Sequence, residues 1–305
     1  TELFLNDGSY TFTAYAASSF GLPDNLGQHE NLDWAWGDCD NDGALDVYIS
    51  DSDNEGLYNN NGSGTFTADT TFNSGDVTDP DGADWGDYDN DGDLDLLIVN
   101  DGGVSQLWEN DGTCSFTDVS SDVGLNDSGA IGKTAGFFDV NNDGDLDVIS
   151  NNPAYLWRNN IDDDNYLRVV LQGRGNSSLE NLSNRDAIGA QIDVYNSTND
   201  LVCHREVSGS FNQLQQPKWL HCGLDPTASY DVQVTWPSGT VSTTQVTPQS
   251  VNHTIGSTTL LNTLHILEPS FMLTECKDLD VAGNYRLLND VSSPGTCFTV
   301  LSDNV

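Results

Sequence analysis

Three short stretches carry the residue types best suited to chemistry: "WGDCDNDGALDVYIS" at 36–50, "WGDYDNDGDLDLLIVN" at 85–100 and "FFDVNNDGDLDVISN" at 137–151. Each places acidic or amide residues at alternating positions, then a glycine, then one more aspartate before an apolar run. Oxygens at positions 1, 3, 5, 7 and 9 of such a loop can wrap a hard cation of calcium's size, which accepts about 6–8 oxygens in a flexible shell. The first set is Asp38, Asp40, Asp42, the Ala44 carbonyl and Asp46. The second is Asp87, Asp89, Asp91, the Asp93 carbonyl and Asp95, and the third is Asp139, Asn141, Asp143, the Asp145 carbonyl and Asp147. Without an ion, two carboxylates about 4 Å apart repel by roughly 4 kcal/mol at an effective dielectric near 20. A divalent cation reverses that sign, so about three structural Ca2+ ions are expected. Magnesium suits the loops less, because it demands a strict octahedron and keeps several waters. An EF-hand is excluded: its bidentate glutamate at position 12 is replaced by Ile49, Ile98 and Ser150, and strand-like text follows where a helix would start.

The elements that hold these loops recur with them. The first aspartates, Asp38, Asp87 and Asp139, are 49 and 52 residues apart. A second motif starts at Leu3 ("LFLNDGSYTFT"), Leu57 ("LYNNNGSGTFT"), Leu107 ("LWENDGTCSFT") and, as a fragment, Leu156 ("LWRNN"), at intervals of 54, 50 and 49. Two independent motifs sharing a period of about fifty residues indicate a repeat array. Within each unit an aromatic (Trp36, Trp85, Phe137) leads the loop, the loop feeds a β-branched strand, and an Asn-Gly turn joins two further strands as a hairpin. About four strands per unit suit propeller blades. Only three full units and a partial one are present, so further blades are expected before Thr1.

These motifs, Trp-Gly-Asp, D-x-D-N-D-G-x-x-D and L-[FYW]-x-N-[DN]-G, resemble those of the VCBS or FG-GAP family, whose members build calcium-bearing β-propellers similar to the integrin α-subunit head. The resemblance covers residues 1–160 and implies calcium on the positions named above. The third loop departs from it, with Phe138 where the others have Gly37 and Gly86, and Asn141 in place of an aspartate.

Composition shifts at 159–165, "NNIDDDN", which reads as a linker. Alternating text follows, including "YLRVVLQG" (166–173), "NRDAIGAQIDVY" (184–195) and "VQVTWPSG" (232–239), and predicts a compact β-sandwich over 161–265. N-R-D-x-I-G-A and V-x-W-P-S-G resemble the ASPIC/UnbV domain, which follows such repeats in cartilage acidic proteins and many bacterial surface proteins. Arg185 and Asp186 are expected to form a turn-stabilising ion pair. The segment 266–305 reads as the start of a further β domain that resembles the opening rung of a right-handed β-helix. The fold class is therefore all-β: calcium-binding blades of a partial propeller, then a small β-sandwich, then the start of a β-helix-like segment.

The chain has 305 residues and a formal net charge of −39, from 48 acidic and 9 basic side chains. That balance argues against nucleic acid as a partner, because phosphate binding needs clustered cations. No apolar run is long enough to span a bilayer. There is no CxxC among the six cysteines, so zinc and redox readings are weak. Disulfides Cys203–Cys222 and Cys276–Cys297 are expected, while Cys39 and Cys114 are left unassigned. Sequons begin at Asn61, Asn126, Asn176, Asn181, Asn196 and Asn252. Both features suit an extracellular or cell-surface protein.

Five scattered histidines (His29, His204, His221, His253, His265) form no hydrolase pattern. The expected function is a secreted or surface-displayed, non-catalytic, calcium-stabilised module for adhesion, whose partner is an extracellular protein or glycan, or copies of itself. Alternatives are a structural subunit of an extracellular fibre or stalk, and an accessory region of a polysaccharide lyase or hydrolase whose active site lies in a downstream β-helix.

Overall fold

The structure, a computed structural model, describes residues 2–6, 11–24, 33–51, 55–72, 80–100, 103–125, 134–150, 155–161, 163–174, 183–209, 218–255 and 257–269. Every strand below lies in one compact unit, Thr1–Glu268. The β-helix-like segment beyond its first residues, and the Cys276–Cys297 pair, lie outside the described residues. Helix is confined to single turns, and no described helix is long and apolar enough to cross a membrane.

The repeats form β-propeller blades. A hairpin, β1 (Glu2–Asn6) and β2 (Phe12–Ala16), comes first. The next blade is an antiparallel meander of β3 (Asp33–Gly37), β4 (Asp46–Ser50), β5 (Gly56–Asn60) and β6 (Phe66–Ala68). Its successor repeats that order with β7 (Pro80–Gly86), β8 (Asp95–Asn100), β9 (Gln106–Asn110) and β10 (Phe116–Asp118). A three-stranded sheet follows, of β11 (Ala135–Phe138), β12 (Asp147–Ser150) and β13 (Leu156–Trp157).

Alternation on β8 explains how the blades stack. Leu96 and Ile98 pack with Ala35, Tyr48 and Leu57 of the preceding blade. Leu97 and Val99 pack with Ala135, Phe137 and Val148 of the following one. Both faces of the strand are therefore buried, which is why "LLIV" is apolar throughout rather than alternating. Each such side chain contributes about 1.5–3 kcal/mol.

The glycine of Trp-Gly-Asp has a packing cause. A Cβ on Gly37 would lie 2.7 Å from Cγ of Trp85, and one on Gly86 would lie 2.5 Å from Cδ2 of Phe137. Each glycine thus receives the aromatic of the next repeat. Phe138 occupies the same register in the last repeat, after which the chain leaves the blades for the sandwich.

The sandwich has two sheets. One is β14 (Tyr166–Gln172) between antiparallel β17 (Trp219–Gly223) and parallel β22 (Thr263–Leu267). The other runs β16 (Leu201–Glu206), β15 (Gln191–Tyr195), β18 (Tyr230–Thr235), β19 (Val241–Val246). Inward residues Leu167, Val169, Ile192, Val194, Val232 and Val234 share one core with Trp236. Trp236 donates its indole N–H to Ser242 Oγ at 3.0 Å, and Gly239 N–H returns to the Trp236 carbonyl at 2.7 Å, which closes the W-P-S-G turn. Asn184 holds the N-R-D-x-I-G turn by accepting from Ile188 N–H at 2.9 Å and donating to its carbonyl at 2.8 Å. Disulfide Cys203–Cys222 joins the two sheets, with Cα atoms 6.1 Å apart. Cys39 and Cys114, unassigned from sequence, also form a disulfide, which ties a loop of one blade to the hairpin of the next across 75 residues.

Gly86→Val forces a branched side chain into the Phe137 ring. It should destabilise the protein by about 1–3 kcal/mol, read as a lower urea midpoint, whereas Gly64→Val, at a position with open space around its Cβ, should cost only the strain of its positive φ.

Candidate metal loops at the seam between blades and sandwich

Each acidic loop joins the first strand of a blade to the second. Asn41, Asn90 and Asn142 at position 4 adopt φ of 54°, 61° and 63°, and Gly43, Gly92 and Gly144 at position 6 adopt 89°, 103° and 102°. Asparagine and glycine are the residues that tolerate this left-handed region, so the D-N-D-G text encodes the turn itself. Position 5 and 7 amides point at the side chains two residues earlier, as in Asp42 N–H to Asp40 at 3.2 Å and Ala44 N–H to Asp42 at 2.8 Å.

The position 9 aspartates are latches as well as candidate ligands. Asp95 accepts Tyr88 N–H at 3.0 Å on one oxygen and Asn110 N–H at 2.9 Å on the other. Asp46 does the same with Cys39 (2.9 Å) and Asn60 (2.7 Å), and Asp147 with Val140 (3.0 Å) and Asn159 (2.9 Å). The asparagine so held reaches the preceding repeat. Asn110 donates its side chain to the Cys39 carbonyl at 2.7 Å, and Asn159 to the Tyr88 carbonyl at 2.6 Å. A second ladder runs from loop to loop, with Asn41 donating to Asp93 at 3.0 Å and Asn90 to Asp145 at 3.3 Å. Sequence reading gave Asp93 and Asp145 only backbone carbonyls to contribute, and read the L-[FYW]-x-N asparagine as turn chemistry. The repetition of both at a fixed register was the available signal.

Two of the three predicted ligand sets converge. Carboxylate oxygens of Asp38, Asp40 and Asp42 lie within 4.8 Å of one another, as do those of Asp87, Asp89 and Asp95. Asp87 is buried, takes Gly223 N–H at 2.6 Å on one oxygen, and leaves its Oδ1 without a partner. Burial pushes Asp38 up to about 6, Asp46 and Asp87 to about 7, and Asp95 to about 9. Burial and then the neighbouring Asp91 carboxylate raise Asp89 and Asp93 to about 6. An all-oxygen donor set, crowded and desolvated, with an orphaned buried oxygen, fits a hard divalent cation.

The third loop is built differently. Asp139 is paired with Arg168, both side chains being buried. Asp143 is held below the usual carboxylate value: partial burial would raise it, but hydrogen bonds from Asn141 and Arg158 outweigh that. The Arg158 contact is 3.1 Å. Asp139 Oδ1 also lacks a partner, yet an ion reaching it would meet the Arg168 guanidinium on the same carboxylate. The third loop, expected to depart from the other two, does so: arginine supplies positive charge at Asp139 and Asp143.

The sandwich lies against all three loops. Added Cβ atoms at Gly43, Gly92 and Gly144 would meet Leu201, the Gly223 carbonyl and the Tyr166 ring respectively. His221 donates from Nε2 to Asn90 Oδ1 at 2.9 Å, and burial lowers it to about 3, so it is neutral. Buried Arg205 donates to the carbonyls of His221 (3.0 Å) and His204 (2.8 Å). His204 and His221 lie in different sheets rather than on paired strands, and His204 bonds Asp193 at 2.6 Å. The expected Arg185–Asp186 pair is replaced by Lys218–Asp186 at 2.7 Å. Of the sequons, Asn61 and Asn252 are exposed and Asn196 is half-buried in a turn, while Asn126, Asn176 and Asn181 lie outside the described residues.

A family model described as FG-GAP-like repeat matches residues 38–98 and 87–150. One described as ASPIC and UnbV matches 180–260. No curated protein matches the chain.

The raised carboxylates have a direct consequence for the metal-free protein. Its folded state holds protons more tightly than the unfolded chain, so its stability is fullest below the ordinary carboxylate value of 3.8 and is lost as pH rises through about 7 and then about 9. Urea melts in excess chelator should show a midpoint that falls from acid to neutral pH. A midpoint that rises over that interval would contradict the burial of these groups.

Proposed function

We propose that this chain, whose blades belong to the FG-GAP-like repeat family and whose sandwich belongs to the ASPIC and UnbV family, is a non-catalytic extracellular module stiffened by calcium, displaying its surface for adhesion to a protein or glycan. The observation that carries this reading is the position of the first two acidic loops: Asp38, Asp46, Asp87 and Asp95 are buried where blades and sandwich meet, and Asp87 offers an unsatisfied oxygen there.

Calcium would be held by Asp38, Asp40, Asp42 and Asp46, and by Asp87, Asp89, Asp91 and Asp95, with the Ala44 and Asp93 carbonyls. It would supply the positive charge that lets these groups stay ionised while buried. The chain's own residues do the rest. Asp46 and Asp95 fix each loop to its blade, Asn41 and Asn110 fix it to a neighbour, and Gly223 and His221 fix the second loop to the sandwich.

Other features agree. Two disulfides among the described residues suit an oxidising compartment. A net charge of −39 keeps a displayed module soluble in salt. The reading assigns two ions to the described loops rather than three, because Arg168 and Arg158 attend the third.

A thermal melt in calcium, against excess chelator at equal ionic strength, tests the role of the ion. Calcium should raise the midpoint by several degrees and magnesium should not replace it. Atomic absorption on the dialysed protein should count two calcium ions per chain, and Asp87→Asn should leave one. Coincident melts would overturn the calcium reading.

A further inference from the structure

A cavity of about 340 Å³ lies where the first strands of three blades meet the sandwich. Its walls are aromatic: Trp36, Trp85 and Phe137 from the blades and Trp219 from the sandwich. The metal loops touch it through Asp38 and Asp87 and through Leu45, Leu94 and Leu146, and of these only the two aspartates are ligands in the reading above.

Besides Asp87 Oδ1, which the calcium reading takes, three polar atoms on residues lining this cavity are buried and have no partner: Arg205 Nη2, Trp85 Nε1 and His221 Nδ1. Their roles are determined by chemistry. The guanidinium and indole nitrogens can only donate. His221 is neutral and its Nε2 proton goes to the Asn90 carbonyl oxygen, so Nδ1 is left with a lone pair and can only accept. Arg205 satisfies Nε and Nη1 on backbone carbonyls and leaves Nη2 unpaired.

A ligand that matches this lining must accept two hydrogen bonds, donate one and lay an apolar face on an aromatic ring. A pyranose ring does all three, since each hydroxyl both donates and accepts, and its axial C–H groups form an apolar face. The volume stands at the lower end for small-ligand pockets, about 300–1,000 Å³, and admits one sugar residue rather than a chain. Charge selects further. Beside Asp38 and Asp87, the acids Asp84 and Glu206 share the lining with a single arginine, which disfavours an anionic sugar.

We infer that this cavity binds one neutral pyranose residue, held by Arg205, Trp85 and His221 and stacked on the surrounding aromatic side chains. The inference rests on the reading of the chain as a binding module and names its ligand class. It is tested on the full chain in excess calcium, so that failure of the calcium reading, seen in the melt, is separate from failure to bind sugar.

The probes are methyl glycosides of glucose, galactose, mannose and fucose, with methyl glucuronide as the charged comparison. Binding is followed by saturation-transfer NMR and by tryptophan fluorescence. At least one neutral glycoside should bind saturably. Ser208 is a half-buried residue of the lining, and Ser208→Trp should fill the cavity and weaken binding by about tenfold or more. Trp85→Phe keeps an aromatic face and removes the indole donor with part of the ring system, so it should weaken binding several-fold; the midpoint itself falls, but the shift that calcium produces in the melt stays as in the parent. The inference is overturned if no neutral glycoside binds, if methyl glucuronide binds in preference, or if folded Ser208→Trp and Trp85→Phe both bind like the parent.

Discussion

Both oxygens of Asp95 are committed to backbone N–H groups from different segments, the start of the acidic loop and the end of β9. The rest of the repeat architecture descends from that double acceptance and its copies at Asp46 and Asp147. It fixes how the loop, the second strand and the hairpin meet inside one blade. It thereby aims the hairpin asparagine at the carbonyl of the blade before. A carboxylate can do this only because it offers four lone-pair sites; an asparagine would donate on one side and repel one of the two amides. The cost is a buried acid whose proton is hard to remove.

Positive charge is scarce in this chain, with 9 basic side chains against 48 acidic ones. Where it is spent is therefore informative. Arg168 and Arg205 are both buried on the sandwich side of the seam, Arg168 against Asp139 and Arg205 within the field of Asp87, Asp38 and Asp93. Arg168 also stands 4.8 Å over the Trp219 ring, a contact that favours a cation in a dry setting. The sandwich thus acts as the electrostatic counterpart of the loops. Where its arginine reaches a carboxylate directly, as in the third loop, the local charge is already balanced; where it does not, the acids remain crowded.

Much of this was legible in the sequence because the repeat writes each rule more than once. The period of about fifty residues separated blade text from sandwich text, and D-N-D-G spelled out its own left-handed turn. Gly37 and Gly86 were legible only as part of a recurring Trp-Gly-Asp, and the structure supplies their reason, the aromatic of the next repeat. What stayed hidden depends on contacts between segments far apart in sequence. Cys39 could not be paired with Cys114 because the partner of a loop is the following blade's hairpin, a relation set by stacking. Arg168 read as one more residue in an alternating strand, and its partner Asp139 read as a ligand like its equivalents. Lys218 displaced Arg185 as the partner of Asp186 for the same reason: β17 delivers it from the opposite sheet.

The Cys39–Cys114 bond has a mechanical meaning. It spans 75 residues and joins two adjacent blades. Tension applied along the chain enters at one cysteine and leaves at the other without crossing the intervening strands. At roughly 3.3–3.6 Å per extended residue, about 250 Å of contour length is withheld from stretching. A surface module pulled by flow or by an attached neighbour would keep its second acidic loop, Asp87 to Asp95, inside that unloaded segment. A loop that grips the sandwich, through Gly223 and His221, is thus one the covalent shunt shields from load.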